Sequence, residues 1–383
     1  MKSVQECTIK LIKYLLTGEV PVLPDNIDFA AIRSFGVMHG IENMLYAAMS
    51  ELNISVPPEV RAEFEEDCDI AVVNEAVQQL ELELITEAFE REKVENVPLK
   101  GSVIKFLYPM PDYRESGDID ILIHNEDEER VIEIMKSLDY EMDEFSREHI
   151  YERSFSKQPN IRIEIHCGLV GEKDRARRFC AAVWENVELN EGCEYTYHMN
   201  NEYLFVYLVA HLCKHLYHGG AGIRLITDLW VVRDKLALDK ASVDKYLEQA
   251  NLVKIGGLAL RLADKWFEDK EDNDEELNLL ERICLESGTF GNSEIRDKMK
   301  SNNTAEERKK NFLSKIFMTK TGIKYRIKKF RYKNYPYIYM WLYWAFYNII
   351  FRRGLMKRRL DEARGKYAEG DVMENLVMAV RDE

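Results

Sequence analysis

The sequence has little of what would mark a disulfide-rich, zinc-binding or secreted chain. Its seven cysteines are scattered and nowhere form a Cys-x-x-Cys pair, which argues against a zinc site and against a disulfide framework. Charged residues Glu6, Lys10 and Lys13 interrupt the amino-terminal segment, so we expect no signal peptide there. Both observations predict a cytoplasmic protein with reduced thiols.

Long apolar runs are also scarce, and the nearest to one lies between residues 334 and 351. That segment has no charged residue, but it is rich in Tyr and Trp and contains Pro336. Its length is at the lower limit for a transmembrane helix, and its aromatic content favours a packed or interfacial helix. Binding to a membrane surface therefore stays open as an alternative reading of this segment.

Basic residues are outnumbered over the whole chain, whose net charge is −15 at pH 7. This excess of acid argues against general nucleic-acid binding. The charge is uneven, however, because residues 301–383 contain 19 Lys and Arg against 9 Asp and Glu. We expect this basic tail to complement the acidic body, with nucleic acid and anionic membrane as less favoured partners. The acidic stretch from Tyr367 is expected to be frayed.

The spacing of apolar residues divides the chain into four predicted regions. Helical spacing dominates before residue 95 and after residue 203, whereas short apolar strands alternate with helices between them. The strands are predicted over Val97–Leu99, Ile119–Ile123 and Ile161–Ile165, which indicates an α+β fold with a small mixed sheet. The regions are an amino-terminal helical region (1–95), an α/β core (96–200), a helical domain (201–300) and a basic, aromatic helical region (301–383).

Two carboxylates, Asp118 and Asp120, alternate with isoleucines in the second predicted strand. A strand turns alternate side chains to the same face, so these two project together, roughly 7 Å apart at Cα. Such a pair can converge on two Mg²⁺ ions, the arrangement used for a displacement at phosphorus. Gly117 is expected to allow a sharp turn before the strand.

A turn of small residues, Gly101-Ser102, ends the first predicted strand and opens a helix. Free backbone amides at such a turn favour phosphate, and the Ser102 hydroxyl adds a donor. Without the nearby acids, a simple strand-to-helix turn would be the preferred interpretation. The turn and the acids together predict a site for a nucleoside triphosphate and its metal.

A third acid, Glu164, lies in the strand Ile161–Ile165 and shares a face with Arg162 and His166. If this strand pairs beside the one that carries Asp120, Glu164 completes a metal-binding triad or accepts a proton from an attacking hydroxyl. The alternative is a surface ion pair between Glu164 and Arg162.

These motifs together resemble the bacterial uncharacterised nucleotidyltransferase family of the polymerase-β-like superfamily. The resemblance is carried by Lys100-Gly101, Tyr108-Pro109, Arg114, Gly117-Asp118-Ile119-Asp120 and Glu164-Ile165-His166. It implies metal ligation by Asp118, Asp120 and Glu164 and phosphate binding at Gly101-Ser102. It also implies a helical domain that closes over the nucleotide, with His211, His215 and Asp228 lining the cleft. The alternative is that these polar groups only brace the helices.

The sequence therefore predicts a Mg²⁺-dependent enzyme that moves a nucleoside monophosphate from an NTP to an unknown acceptor and releases pyrophosphate. Lys100 and Arg114 are the cations predicted to meet the triphosphate, or else they are structural partners of Glu115 or of the carboxy-terminal acids. Asp120→Asn is expected to abolish turnover with little change in melting temperature. The alternative function is a non-catalytic nucleotide- or protein-binding module that retains the fold.

Overall fold

The computed structural model describes most of the chain to residue 301 and selected parts beyond it. The described residues are 2–143, 151–171, 175–289, 291–301, 317–320, 323–324, 335–351 and 370–380, with isolated positions between 306 and 364. All seven cysteines are free. Among these described residues, no helix combines the length and the apolarity that crossing a bilayer requires.

Four helices precede the sheet, in the part of the chain where the apolar spacing predicts helical structure. They are α1 (Lys2–Thr17), α2 (Phe29–His39), α3 (Glu42–Glu51) and α4 (Pro58–Arg91). Helix α2 begins where the Asp28 carboxylate accepts the amide of Ala31 at 3.0 Å, and it ends at Gly40, whose φ of 62° suits the left-handed cap.

A five-stranded mixed sheet follows, in the order β1-β2-β5-β4-β3. Its strands are β1 (Asn96–Pro98), β2 (Ile119–Ile123), β3 (Glu141–Met142), β4 (Glu152–Lys157) and β5 (Ile161–His166). Strands β2 and β5 pair in parallel, and the other neighbours pair antiparallel. The predicted α+β class and the three predicted strands are confirmed, whereas β3 and β4 were not predicted.

The two faces of this sheet belong to different cores. The isoleucines of β2 and β5 pack with α4 and with α6 (Glu128–Ser137) in one apolar cluster. Leu122, on the opposite face of β2, belongs to the cluster built by the remaining helices. Asp120 shares the face of Leu122, so it points toward the helical part of the molecule. Between β1 and β2 lies the one-turn helix α5 (Gly101–Ile104).

Among the described residues, a short helix, a hairpin and six longer helices continue the chain. Helix α7 (Arg177–Ala181) leads to the hairpin of β6 (Val187–Leu189) and β7 (Tyr197–Met199). The helices are α8 (Asn201–His218), α9 (Ile223–Lys235), α10 (Lys240–Gln249), α11 (Val253–Phe267), α12 (Glu275–Ser287) and α13 (Ser293–Ser301). Helix α8 contributes the largest share of the helical core, because it buries most of its residues on every side.

Two further helices are described in the carboxy-terminal part. Helix α14 (Tyr337–Phe351) packs within a small separate cluster, whereas α15 (Gly370–Val380) packs against α8, α11 and α12. The expectation of a frayed acidic end is therefore wrong for residues 370–380. Apolar residues at positions 373, 376, 377 and 380 are buried, and their helical spacing outweighs the acidic composition of the stretch. Residues 367–369 lie outside the described residues.

Candidate functional site

Parallel pairing of β2 and β5 places Asp120 directly opposite Glu164 in the register. His166 follows two residues later on the same face of β5. Asp120, Glu164 and His166 each offer one ligand atom, and these three atoms lie within 4.8 Å of one another. The predicted pairing of the two acid-bearing strands is therefore confirmed, and the cluster includes a histidine that was not predicted as a site residue.

Asp120 is the most enclosed member of this cluster, with 5% of its side chain exposed. Its Oδ1 accepts hydrogen bonds from Lys100 Nζ at 2.8 Å and from His166 Nε2 at 2.6 Å. Burial alone would raise the pKa of Asp120, but the Lys100 charge and the His166 hydrogen bond outweigh it and hold that pKa well below its usual range. Asp120 is therefore a firmly ionised carboxylate.

Lys100 reaches Asp120 from an unusual backbone conformation. Its φ is 46° and its ψ is −119°, a region that residues with a side chain rarely adopt. Burial lowers the pKa of Lys100, but the adjacent Asp120 charge overcomes that effect and raises it above the ordinary value. The strained turn thus holds a permanent ammonium against the Asp120 carboxylate.

Glu164, a member of the cluster, and Asp118, which lies beside it, are the other two carboxyl groups near Asp120. Glu164 Oε1 pairs with Arg162 at 3.1 Å, and 13% of the Glu164 side chain is exposed. Burial, followed by repulsion from Asp118, raises the pKa of Glu164 to about 6. Asp118 precedes β2 and has a raised pKa because it is buried near the Asp120 charge. The structure thus brings the three acids together electrostatically, and ligation by Asp118 stays a prediction.

Gly101 has no room for a side chain at the turn after β1. A Cβ atom there would lie 2.8 Å from Nη1 of Arg114 and 2.9 Å from Oγ of Ser116. The Ser102 side chain is buried beside it. Gly117, in contrast, has open space around it and no positive φ. The sharp turn predicted there does not require glycine.

Arg114 is buried in an ion pair rather than exposed at the acids. Its Nε and Nη2 atoms donate to the two oxygens of Asp228 at 3.1 and 2.9 Å, and the Tyr108 hydroxyl donates to the same carboxylate at 2.7 Å. These contacts join the segment before β2 to α9. Arg114 is thus a structural partner of Asp228, an acid that the sequence did not predict for it, and a phosphate contact for either residue stays a prediction.

One comparison with known proteins gives a match. The model of the family described as Uncharacterised nucleotidyltransferase matches residues 25–268, which include the whole sheet and the acid cluster. The chain belongs to that family. No curated protein and no solved structure matches the chain.

In this member of the family, helix α8 brings Tyr207 and His211 within range of the charges of Lys100 and Asp120. His211 is half-buried, and desolvation followed by the Lys100 charge lowers its pKa well below the usual value, so the imidazole is neutral. One helical turn earlier, Tyr207 is 1% exposed, and its hydroxyl has no hydrogen-bond partner. The charges of Lys100 and Asp120 both act on that hydroxyl. Tyr207 was not predicted, although its i, i+4 spacing from His211 places both on one face.

Proposed function

We propose that this protein transfers a nucleoside monophosphate from an NTP to an acceptor, with Mg²⁺, and releases pyrophosphate, as polymerase-β-like enzymes do. The observation that carries the proposal is the meeting of Asp120, Glu164 and His166 within 4.8 Å, next to the Gly101 turn. The family described as nucleotidyltransferases supports the reaction class. The acceptor and the base of the NTP stay open.

The donor set fits a divalent cation that prefers oxygen. Asp120 and Glu164, with Asp118 beside them, would hold one or two Mg²⁺ ions, and His166 is a further ligand or a partner of Asp120. Burial, followed by the charges of the neighbouring acids, raises the pKa values of Glu164 and Asp118, so a cation among these acids would favour their ionised forms. A bound cation would supply stabilisation of the charge that develops on the transferred phosphorus.

Residues around the acids would hold the triphosphate. The Ser102 amide already donates to the Leu99 carbonyl at 3.1 Å, so we assign phosphate binding to the Gly101 amide and the Ser102 hydroxyl. Lys100 would contribute its ammonium once a cation compensates the charge of Asp120. His211 and Tyr207 would donate hydrogen bonds without adding charge. Arg114 and Asp228 would hold the edge of this site in place and contribute the arginine charge from behind Gly101.

The proposed reaction is a single displacement at the α-phosphorus. The acceptor oxygen forms a bond to the α-phosphorus, and the bond from that phosphorus to the bridging oxygen of the β-phosphate breaks. Glu164 accepts the proton of the acceptor hydroxyl or holds the cation, and its pKa of about 6 suits the first role near neutral pH. Pyrophosphate leaves with the electrons of the broken bond.

A non-catalytic nucleotide- or protein-binding module is the second candidate. The observation that favours it is the Lys100–Asp120 ion pair, since an internal ammonium already neutralises the central carboxylate without any metal. Such a module would bind its nucleotide or partner protein and release no pyrophosphate.

The decisive experiment measures pyrophosphate release from ATP, GTP, CTP and UTP, with and without Mg²⁺, together with calorimetric binding of each nucleotide. We expect metal-dependent release from the wild-type protein and none from Glu164→Gln. Glu129→Gln, which changes an exposed acid on α6, is the matched control and should retain full release. Nucleotide binding without release for any NTP, in the presence of varied hydroxyl acceptors, would favour the binding module.

A further inference from the structure

Helix α14 buries one side and leaves the opposite side to solvent. Met340 and Trp344 are 0% and 1% exposed, and they pack with Met318, Ile323, Ile327 and Phe330. Ile338, Leu342 and Phe346 are 69%, 57% and 62% exposed. These three residues follow one another at every fourth position, so they form a continuous apolar stripe along the helix.

This stripe has no charged side chain to interrupt it. No Asp, Glu, Lys or Arg occurs between residues 334 and 351, so the helix lacks the charged face that a surface helix normally presents to water. A contiguous exposed apolar surface of this kind marks an interaction site. The buried side already contacts its own cluster, and the second partner must therefore lie on the stripe.

The charge around α14 indicates the chemistry of that partner. From Arg308 to Leu360 the sequence has 16 Lys and Arg and not one Asp or Glu. Eleven of these cations precede the helix and five follow it. A surface that is apolar within and anionic at its boundary complements this arrangement, and an anionic lipid bilayer has both properties.

Two other occupants fit these observations less well. A second copy of the chain would bring two sets of these cations together, and their repulsion would oppose association. Nucleic acid would satisfy the cations but would leave aliphatic Ile338 and Leu342 in contact with phosphate and water. The helix is also rich in Tyr and Trp, the residues typical of the membrane–water interface.

We propose that α14 lies flat on an anionic membrane surface, with Ile338, Leu342 and Phe346 inserted below the headgroups and the flanking cations bound to them. The helix has 15 residues, which gives about 22 Å, less than the hydrocarbon thickness of a bilayer. The proposal therefore concerns binding at the surface and is independent of the reaction at the acid cluster.

Vesicle flotation of the full-length protein tests this proposal. Vesicles of phosphatidylcholine with an equal part of phosphatidylserine should carry the wild-type protein upward, and vesicles of phosphatidylcholine alone should not. The triple variant Ile338→Ser, Leu342→Ser, Phe346→Ser should lose at least tenfold in the bound fraction. The matched control, Val72→Ser, Val73→Ser, Leu80→Ser, removes three side chains of α4 that are also more than half exposed, and it should float as the wild type does.

Three results would overturn the proposal. The first is that the wild-type protein fails to float with the anionic vesicles. The second is that the triple variant floats as well as the wild type, which would assign binding to the cations alone. The third is a concentration-dependent dimer in sedimentation velocity that the triple substitution abolishes, without flotation of the wild type, which would assign the stripe to a second copy.

Discussion

Lys100 occupies a strained backbone conformation and a buried position, and its contact with Asp120 offsets both costs. The two side chains are 14% and 5% exposed, so each charge depends on the other. Removal of one member of such a pair leaves an uncompensated buried charge. The structure therefore argues against the expectation that Asp120→Asn changes the melting temperature little.

We expect Lys100→Met and Asp120→Asn each to lower the free energy of unfolding by about 3 kcal/mol. The double variant should lose less than the sum of the two losses, because it leaves neither charge unpaired. Urea unfolding of the four proteins measures the coupling. Additive losses would show that the ion pair makes no contribution beyond its separate residues.

The raised pKa of Glu164 predicts how stability changes with pH. The ordinary pKa is 4.5 and the folded one about 6, so below pH 4.5 the carboxyl is neutral in both states. As the pH rises toward 6, the unfolded chain loses its proton first, and the folded state becomes less stable. Compared with Glu164→Gln, the wild-type protein should lose up to about 2 kcal/mol across that interval.

Urea unfolding of both proteins at several pH values measures this difference and removes the contribution of Glu115, whose pKa is also raised, to about 7. If the acids bind Mg²⁺ together with a nucleotide as proposed, Mg²⁺ and an NTP added together should restore the lost stability of the wild type at pH 7 and leave the Gln variant nearly unchanged. If the free energies of unfolding of the two proteins differ by the same amount at every pH, the pKa of Glu164 is not raised in the folded protein.

Gly101 and Gly117 offer a matched pair of substitutions on either side of the site. Gly101→Ala should cost about 1–3 kcal/mol, because the new methyl group would displace Arg114 or Ser116. Gly117→Ala should stay within about 0.5 kcal/mol, because nothing lies within 4 Å of the new atom. Thermal unfolding distinguishes the two outcomes, and equal losses would mean that the turn at Gly101 adapts freely.

Alternation along the strands is what allowed the acids to be predicted from sequence. Asp120 and Glu164 occur in register between isoleucines, so their shared face follows from strand geometry. The partners of Lys100 and Arg114 could not be predicted in the same way. They depend on tertiary distances between segments as far apart as Arg114 and Asp228, to which local sequence patterns are insensitive.

Among the secondary-structure elements, β4 shows where the apolar pattern fails. Its sequence, Glu-Arg-Ser-Phe-Ser-Lys, contains one large apolar residue. Phe155 joins the apolar cluster of the sheet, and the other buried residue of the strand is the charged Arg153. The strand forms because β5 offers a complete row of backbone partners. Helices α8 to α12 were predictable, because their apolar residues recur at helical spacing over ten or more residues.

The contact between α9 and the segment before β2 depends on Asp228. Asp228→Asn should cost about 3 kcal/mol, because Arg114 would remain buried without its counter-charge. Tyr108→Phe, which removes a single hydrogen bond to the same carboxylate, should cost about 1 kcal/mol. Asp244→Asn is the control, since its pair with Lys240 on α10 is largely exposed. Urea unfolding measures these losses. If Asp228→Asn loses no more unfolding free energy than the control, Asp228 does not stabilise the fold as the counter-charge of Arg114.

Over the whole molecule, the carboxy-terminal helix α15 completes the core of the central helices. Leu376 is fully buried among α8, α11 and α12, whereas Met378 is half exposed. Leu376→Ala should therefore cost about 2–5 kcal/mol, and Met378→Ala well under 1 kcal/mol. Thermal unfolding of the two variants measures this, and similar melting temperatures would show that α15 is not part of the cooperative unit.

The pairing of Lys100 with Asp120 also bears on how a resting protein of this kind would behave in a cell. If the protein binds magnesium and a nucleotide as proposed, free magnesium alone would have to separate Asp120 from Lys100. It would leave the Lys100 ammonium without a counter-charge, although only 14% of that side chain is exposed. A magnesium–nucleotide complex would supply, together with the ion, an anionic phosphate oxygen that can pair with this ammonium group. Ion and nucleotide would then bind with strong mutual cooperativity, and ordinary fluctuations in free magnesium would leave the protein at rest.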